Sequence, residues 1–430
     1  MNRKKRLCFV VAVGVSFILG SVISLWAGDE DIVNLLKQQN VITREQADKI
    51  LDELKTKKQD EKKEMKKELT AEIKDELKKD ADNGGFLPPA LRGFKFGTWI
   101  IADWASTNQG LSSATNKFEV QRGYMILTKD VNDWLGVNLT ADVFNTASDD
   151  ASGTALEVRM KTVAVNINLF GTTTQLGLIP TPSESYDNAI WPYRVQGKNF
   201  LDGNNIERTA DIGISIQGPI GGYMDDDYLK YAAKQFAGKW GGYFVELSNG
   251  SGYDSPEANG NKAVSGVIYV RPLPMIPILK GLQLAYVGTY GDSNSTFVKG
   301  AGDINADPHW RVNLVQASLQ HEMFTLMYQY YWGEGTFDST NEDNSHGYQV
   351  EGFVRVPMVE KLRVFAKCTH FNADTTQVND DYMAYTGGLS YDVTKEFMPY
   401  VAYTRKLNGN AYVTGEPNSD MYQIGFQFKL

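Results

Sequence analysis

Along residues 94–430, apolar and polar side chains trade places in short, regular blocks. The final block is the cleanest. Tyr422, Ile424, Phe426, Phe428 and Leu430 fall on one parity, and Gln423, Gly425, Gln427 and Lys429 on the other. Period two without exception describes a strand with one apolar face and one polar face. Leu135, Val137, Leu139, Ala141 and Val143 repeat the pattern. The alternation predicts about sixteen strands. They lie near 94–104, 118–128, 134–143, 155–169, 174–180, 209–218, 239–248, 262–271, 281–290, 309–320, 323–332, 346–356, 361–371, 381–391, 398–407 and 420–430.

The connections sort as regularly as the strands. Those at 129–133, 170–173, 321–323, 357–360 and 392–397 are short. Those near 106–116, 144–154, 181–207, 249–261, 291–308, 333–345, 372–380 and 408–418 are long and rich in Gly, Asn, Asp and Ser. Only 219–238 is longer than its place in the scheme predicts. Turns on one rim and loops on the other are the habit of a transmembrane barrel; a soluble sandwich has no reason to sort its loops by parity. Strands of about 9–11 residues suffice to cross a bilayer, and closure is obligatory there, because an open edge would leave backbone groups unpaired. The predicted fold is therefore an all-β, antiparallel, up-and-down transmembrane barrel of about sixteen strands, its apolar exterior on lipid. Trp104, Trp134, Trp310, Tyr330, Tyr331, Trp332, Tyr391 and Tyr400 sit near strand ends, as interfacial girdles or as core packing.

Upstream the texture differs. Residues 1–28 have a basic start (Arg3, Lys4, Lys5, Arg6) and an apolar run from Leu7 to Leu25, an export signal expected to be cut near Ala27, with a membrane anchor as the alternative. Residues 29–82 predict polar helix. Thr43 to Gln46 form a capping box, and Met65, Leu69, Ile73 and Leu77 recur every four residues, either in a periplasmic coiled coil or in a solvated single helix. Residues 83–91, with Gly84, Gly85, Pro88 and Pro89, make the linker, and 92–430 the barrel.

Cysteine usage removes several classes. Only Cys8 and Cys368 occur, so loss of the signal leaves nothing to pair with Cys368. No CxxCH is present, which excludes covalent c-type haem on this chain. GxSxG, GxGxxG and Walker patterns are absent, and His309, His321, His346 and His370 are scattered. Neither catalysis nor a metal or cofactor is expected.

Candidate chemistry lies in the barrel interior. Glu157, Arg159 and Lys161 share a parity opposite Leu156, Val158 and Met160 and are expected to face the lumen. Val163 and Val165 then take over that parity, which requires a bulge near Lys161. Arg122 shares the parity of Phe118 and Val120, an awkward place for a charge on an apolar face. The longest loop, 181–207, carries Glu184, Asp187, Arg194, Lys198, Asp202 and Glu207, and is the candidate for a constriction folded into the lumen, with an external cap as the alternative. Arg208 opens the strand behind it, whose Ile212, Ile214 and Ile216 are expected on lipid. From residue 86 onward 26 Lys and Arg face 36 Asp and Glu, so net charge argues against strong anion preference, although charge at the constriction outweighs it.

Taken in order, Phe118 to Tyr124, Gly177 to Pro182 with Glu184, Arg208 with Gly213, and Val245 to Gly250 followed by Glu257, Asn259, Lys262, Arg271 and Pro272 resemble the phosphate-selective porin family of Gram-negative outer membranes. The resemblance runs through most of 92–430. It implies an outer-membrane homotrimer of water-filled pores for small anions such as phosphate or other hydrophilic solutes. It also implies outer-membrane lipid around the barrel and an assembly machinery that reads Tyr422, Ile424, Phe426, Phe428 and Leu430. Leu430 stands where such chains usually end in Phe or Trp. Peptidoglycan or a cytochrome are further candidate partners, and nucleic acid is not. The competing reading is a barrel that sheathes a cytochrome in an electron conduit.

Overall fold

A computed structural model describes residues 93–109, 112–147, 154–295, 308–339, 342–378, 380–409 and 417–430, with isolated residues between 33 and 65. The export signal, the linker and the Leu69, Ile73 and Leu77 positions lie outside the described residues. Two compact units result, Met1–Gly93 and Phe94–Leu430. In the first, described residues between 44 and 57 are helical. Thr43 and Gln46 cap that helix reciprocally: the Gln46 N–H donates to Thr43 Oγ1 at 3.3 Å and the Thr43 N–H to Gln46 Oε1 at 3.0 Å.

The second unit is a closed antiparallel barrel of sixteen strands. The first eight are β1 (Phe94–Gln109), β2 (Ser112–Asp130), β3 (Leu135–Ala147), β4 (Thr154–Leu169), β5 (Thr172–Pro180), β6 (Ala210–Ile220), β7 (Gly241–Ser248) and β8 (Ala263–Val270). The rest are β9 (Leu282–Asp292), β10 (His309–Gln320), β11 (Phe324–Glu334), β12 (Asn344–Val356), β13 (Val359–Asn372), β14 (Asp381–Tyr391), β15 (Phe397–Asn408) and β16 (Ser419–Lys429). Every strand pairs with its neighbours in sequence, and β16 returns to β1 from Trp99 opposite Lys429 to Asn108 opposite Asp420. Closure leaves no strand edge bare.

Alternation fixes the facing. Ile212, Ile214, Ile216, Val245, Leu247, Ile268, Val350, Val364, Ile424 and Phe426 point outward and stay exposed, forming an apolar exterior band. Two bulges decide which charges leave that band. Ile101 pairs with Arg122 but Ala102 with Val120, so Gln121 is the extra residue. Below it, Arg122 and Tyr124 therefore turn inward while Phe118, above it, is 86% exposed on the outside. The awkward facing of Arg122 is corrected by that one residue. A second bulge, at Lys161, lies where the alternation requires it: Thr140 pairs with Thr162 and Ala141 with Met160.

One expectation fails. Residues 106–116 are not a long loop, because β1 and β2 continue pairing to Gln109 and Ser112. These Ser-, Thr- and Asn-rich ends resemble a loop in composition, yet Ser106–Asn116 and Thr107–Thr115 make ordinary cross-strand pairs. Of the aromatics near strand ends, Trp310, Tyr331 and Tyr400 take the core-packing alternative. They face inward and are 4%, 0% and 3% exposed, whereas Trp134, Tyr330, Trp332 and Tyr391 lie outside.

Across β4 to β7 small residues face each other: Ala164, Gly177, Gly213 and Ser248 pair in a row. Gly177 has φ +124°, and a Cβ there would meet the Val163 carbonyl oxygen at 2.3 Å. Gly177→Ala is expected to cost the barrel about 2–4 kcal/mol through strain and forced displacement of β4. Urea titration followed by tryptophan fluorescence measures it.

Candidate functional site

The connection between β5 and β6 opens with helix α1 (Pro182–Ile190), whose first helical position is proline and whose first turn carries Glu184, both favourable at a helix start. A single 3-10 turn (Arg194–Gln196) and the short helix α2 (Phe200–Gly203) follow, the latter capped by the Asn199 side chain accepting from the Asp202 N–H. Tyr186, Ile190, Trp191, Tyr193, Val195, Phe200, Leu201 and Ile206 are each no more than 6% exposed. Burying one such side chain stabilises by about 1.5–3 kcal/mol. Their partners are inward-facing residues of the wall: Trp191 packs on Phe353, Tyr193 on Phe365, and Phe200 on Tyr331, with ring centroids 5.9, 4.9 and 5.7 Å apart. Polar contacts reach the same side. Gln329 Nε2 donates to Asp187 at 2.8 Å, Tyr193 and Ser390 hydroxyls meet at 2.9 Å, and Tyr382 donates to Asn204 at 2.6 Å. The loop is folded inside the barrel, against β7 to β14.

The opposite wall keeps solvent access. Arg122, Asn138, Arg159, Asn166, Gln427 and Lys429 face inward from β2, β3, β4 and β16 and remain partly or fully exposed. Three of the cations along this wall are threaded between rings, and a fourth rests on one. Arg159 lies over Phe144 at 3.9 Å and Tyr253 at 4.6 Å; Lys161 lies 5.3 Å from Tyr253 and 5.1 Å from Tyr124. Arg122 is 4.8 Å from Tyr124 and 5.1 Å from Trp99, and Lys429 is 4.4 Å from Trp99. The result is a ladder from the long-loop half of the barrel to the short-turn rim. Ring faces attract cations without neutralising them. Among the described residues Arg122, Lys161 and Lys429 form no ion pair, and Lys161 donates to Thr209 at 2.6 Å.

The remaining sequence candidates divide. Arg159 bridges to Asp142 at 3.3 Å and to Asp254 at 3.1 Å, and Arg208 reaches the other oxygen of Asp254 at 3.3 Å. Glu157 shares the inward face of Arg159 and is exposed. Glu184 and Arg194 are buried together at 3.2 Å, with Asn199 donating to Glu184 at 2.6 Å. Lys198, 52% exposed, pairs with Asp202 at 3.1 Å. Arg122, Tyr253 and Asp254 complete the site and were invisible as such: Arg122 needed the Gln121 bulge, and the other two sit in a loop whose direction alternation does not encode. Strand register also unites two scattered histidines, whose rings lie 6.0 Å apart on the outward face with His370 3.2 Å from Asp381. Among the described residues no three metal-ligating side chains converge.

Within the loop, two acids one helical turn apart behave oppositely. Burial pushes the Glu184 carboxyl up, but Arg194, Lys161 and Arg122 together outweigh it and hold it below its ordinary value. Asp187 is pushed up to about 8, first by burial and then by Glu351 and Glu184, against Arg194 and Lys367. Glu207, buried under Ser183 and Thr289 hydroxyls, rises to about 7.

No family profile and no curated relative matches the sequence. Solved structures do. The anion-selective porin of Comamonas acidovorans is similar at 11% identity over 78% of this chain and 99% of its own, with a TM-score of 0.54. OmpF of Salmonella typhi, solved with daunomycin, matches at 10% identity over 78% and 97% with a TM-score of 0.53. OprB of Pseudomonas putida matches at 12% over 79% and 94%, also at 0.53. At these identities the likeness is one of fold: a sixteen-stranded barrel.

A raised acid binds its proton more tightly folded than unfolded, so the folded state loses stability as pH rises from the unfolded value toward the folded one. Between pH 6 and 9 Asp187 is expected to cost wild type on the order of 2 kcal/mol that Asp187→Asn does not lose. Heat-modifiable gel mobility at both pH values measures the difference.

Proposed function

We propose that this protein is an outer-membrane porin, a water-filled channel for passive diffusion of small hydrophilic solutes, with a preference for anions. One observation carries the reading. A loop folded into the lumen leaves a path whose far wall bears Arg122 and Lys429, both with solvent access, with Lys161 buried behind them between Tyr124 and Tyr253. None of the three has a carboxylate partner among the described residues, while the loop acid nearest them, Glu184, is buried and paired with Arg194. Charged side chains that line a narrow aqueous path select among ions by the sign of their charge. The unpaired excess on the wall favours anions, of which phosphate is one candidate. Interior width supports this: sixteen strands enclose more space than side chains alone fill.

The apolar exterior supports a place in lipid, and the terminal-strand face of Tyr422, Ile424, Phe426, Phe428 and Leu430 fits an assembly signal. Export by a cleaved signal and homotrimeric assembly belong to the same reading. Catalysis has no part in it.

Reconstituted alone into planar bilayers, the protein is expected to give discrete ohmic conductance with a reversal potential on the anion side in a KCl gradient. Replacing Arg122 and Lys161 together by Glu should move that potential to the cation side. A silent bilayer together with a co-purifying cytochrome would instead favour the sheath reading. Lipid contact has its own test. Ile214→Arg places a charge near the middle of the exterior band and should cost about 2–4 kcal/mol in vesicle-based urea unfolding, far more than Ile214→Val.

A further inference from the structure

We infer that the β6–β7 connection, at the short-turn mouth, is an internal buttress that sets the position of the constriction helix. Its consequence for conduction rests on the channel reading; the mechanical claim does not. Residues 221–240 are too long for a hairpin turn, and they form a small folded piece. Met224 and Ala237 pair their backbones at 2.8 Å, Tyr223 bridges Gly238, and Asp225 caps the turn Asp226–Leu229 by accepting from the Tyr228 N–H at 2.8 Å. Tyr228 is 0% and Phe236 4% exposed, which a solvent-facing turn would not produce.

What buries them is the lumen. Phe236 meets Tyr186 of α1 edge to face at 5.1 Å and lies against the inward Phe244 and Tyr269. The fastening is polar and continuous. Arg271, 1% exposed, donates to the carbonyls of Gly238 at 3.2 Å and Lys280 at 2.8 Å and to the Tyr228 hydroxyl at 2.9 Å. Tyr228 in turn donates to Gln320 Oε1 at 3.1 Å. The same Gln320 amide points its nitrogen at the carbonyls of Ala189 and Ile190, 3.3 and 3.5 Å away, where α1 ends. Gln283 closes the circuit, accepting from Tyr186 at 3.2 Å and donating to Gln320 at 3.3 Å.

The chemistry explains why this relay positions rather than merely fills. A helix leaves its last carbonyls without intrahelical donors, and here a strand side chain supplies them. Tyr228 and Gln283 both donate to the Gln320 oxygen, which fixes the way the amide is turned and so aims its nitrogen at α1. Arg271 orients Tyr228 in the same way, because a hydroxyl accepting from a guanidinium must donate in another direction. The helix that carries Glu184 is thus held from below by a segment that touches no part of the cation ladder.

Tyr228→Phe removes one hydroxyl and leaves the ring; Gln320→Met removes the relay amide at nearly constant volume. Hydrogen exchange of the full-length protein in lipid should show amides of 182–190 exchanging about tenfold faster in each variant, the factor for losing ~1.4 kcal/mol. Strand amides of β1 to β4 and the heat needed to unfold the barrel should stay unchanged. Open-channel current variance should rise severalfold, and adding Gln320→Met to Tyr228→Phe should change little further. Unchanged exchange at 182–190 overturns the buttress, as does a uniform increase across the barrel. If wild type conducts nothing, the channel reading fails alone, because the exchange result stands without current.

Discussion

A sheet of sixteen strands cannot close without enclosing more volume than its own side chains occupy. Everything particular to this molecule answers that constraint. Part of the lumen is filled by chain that leaves the wall and re-enters it, as α1 and the segment after it, packed on the inward faces of the wall. Along β2 to β4 and β16 the inward residues keep solvent access, and that lining is free to be polar. Had the loop lain outside, Tyr186, Tyr193, Phe200 and their neighbours would have stood in water, and Phe353, Phe365 and Tyr331 on the wall with them. Apolar residues on the inner face of a wide barrel make sense only as the counterpart of an infolded loop.

Two single-residue bulges place the charge. Without the extra Gln121, Arg122 would share the face of Phe118; without the extra Lys161, either Arg159 or Val163 would point the wrong way. Each insertion adds one residue against the partner strand and leaves the ladder intact on both sides. The cation ladder is therefore built from register defects, and its spacing depends on both of them at once. Rings between the cations hold them apart and in place, while the carboxylates Asp142 and Asp254 engage only its upper end at Arg159.

Strand number, facing and the sorting of short from long connections were legible because each is a period-two property repeated many times. The bulge at Lys161 was legible too, since charged and apolar runs of opposite parity meet there. At Arg122 the same evidence read as a contradiction, because Val120 and Ile126 are apolar on either side of Gln121. Direction was not legible for loops. Residues 181–207 carry apolar side chains suited either to an infolded loop or to an external cap, and only the apolar inward faces of β11 to β13 decide between them. Residues 219–238 are too long for a turn; their aromatics Tyr228 and Phe236 find partners in Gln320 and Tyr186, about 90 and 50 residues away, a separation no local pattern carries.

The infolded loop ends up electrically two-faced. Glu184 and Asp187 are three residues apart on α1, a spacing that places neighbours on one helix surface, yet one is held ionised and the other neutral near pH 7. The difference is what each meets. Glu184 turns toward Arg194, Lys161 and Arg122, and Asp187 toward Glu351 and the Gln329 amide. A charged acid stabilises a loop only where cations face it, and a protonated one only where burial is apolar or acidic. The two sides of α1, both buried, thus demand opposite protonation states from the same residue class. That mismatch fixes the rotation of the helix: turning it by one residue would expose Asp187 to the ladder and drive Glu184 against Glu351, with like charges on buried ground. Packing chooses where the loop lies, and this pair of acids chooses which way it faces.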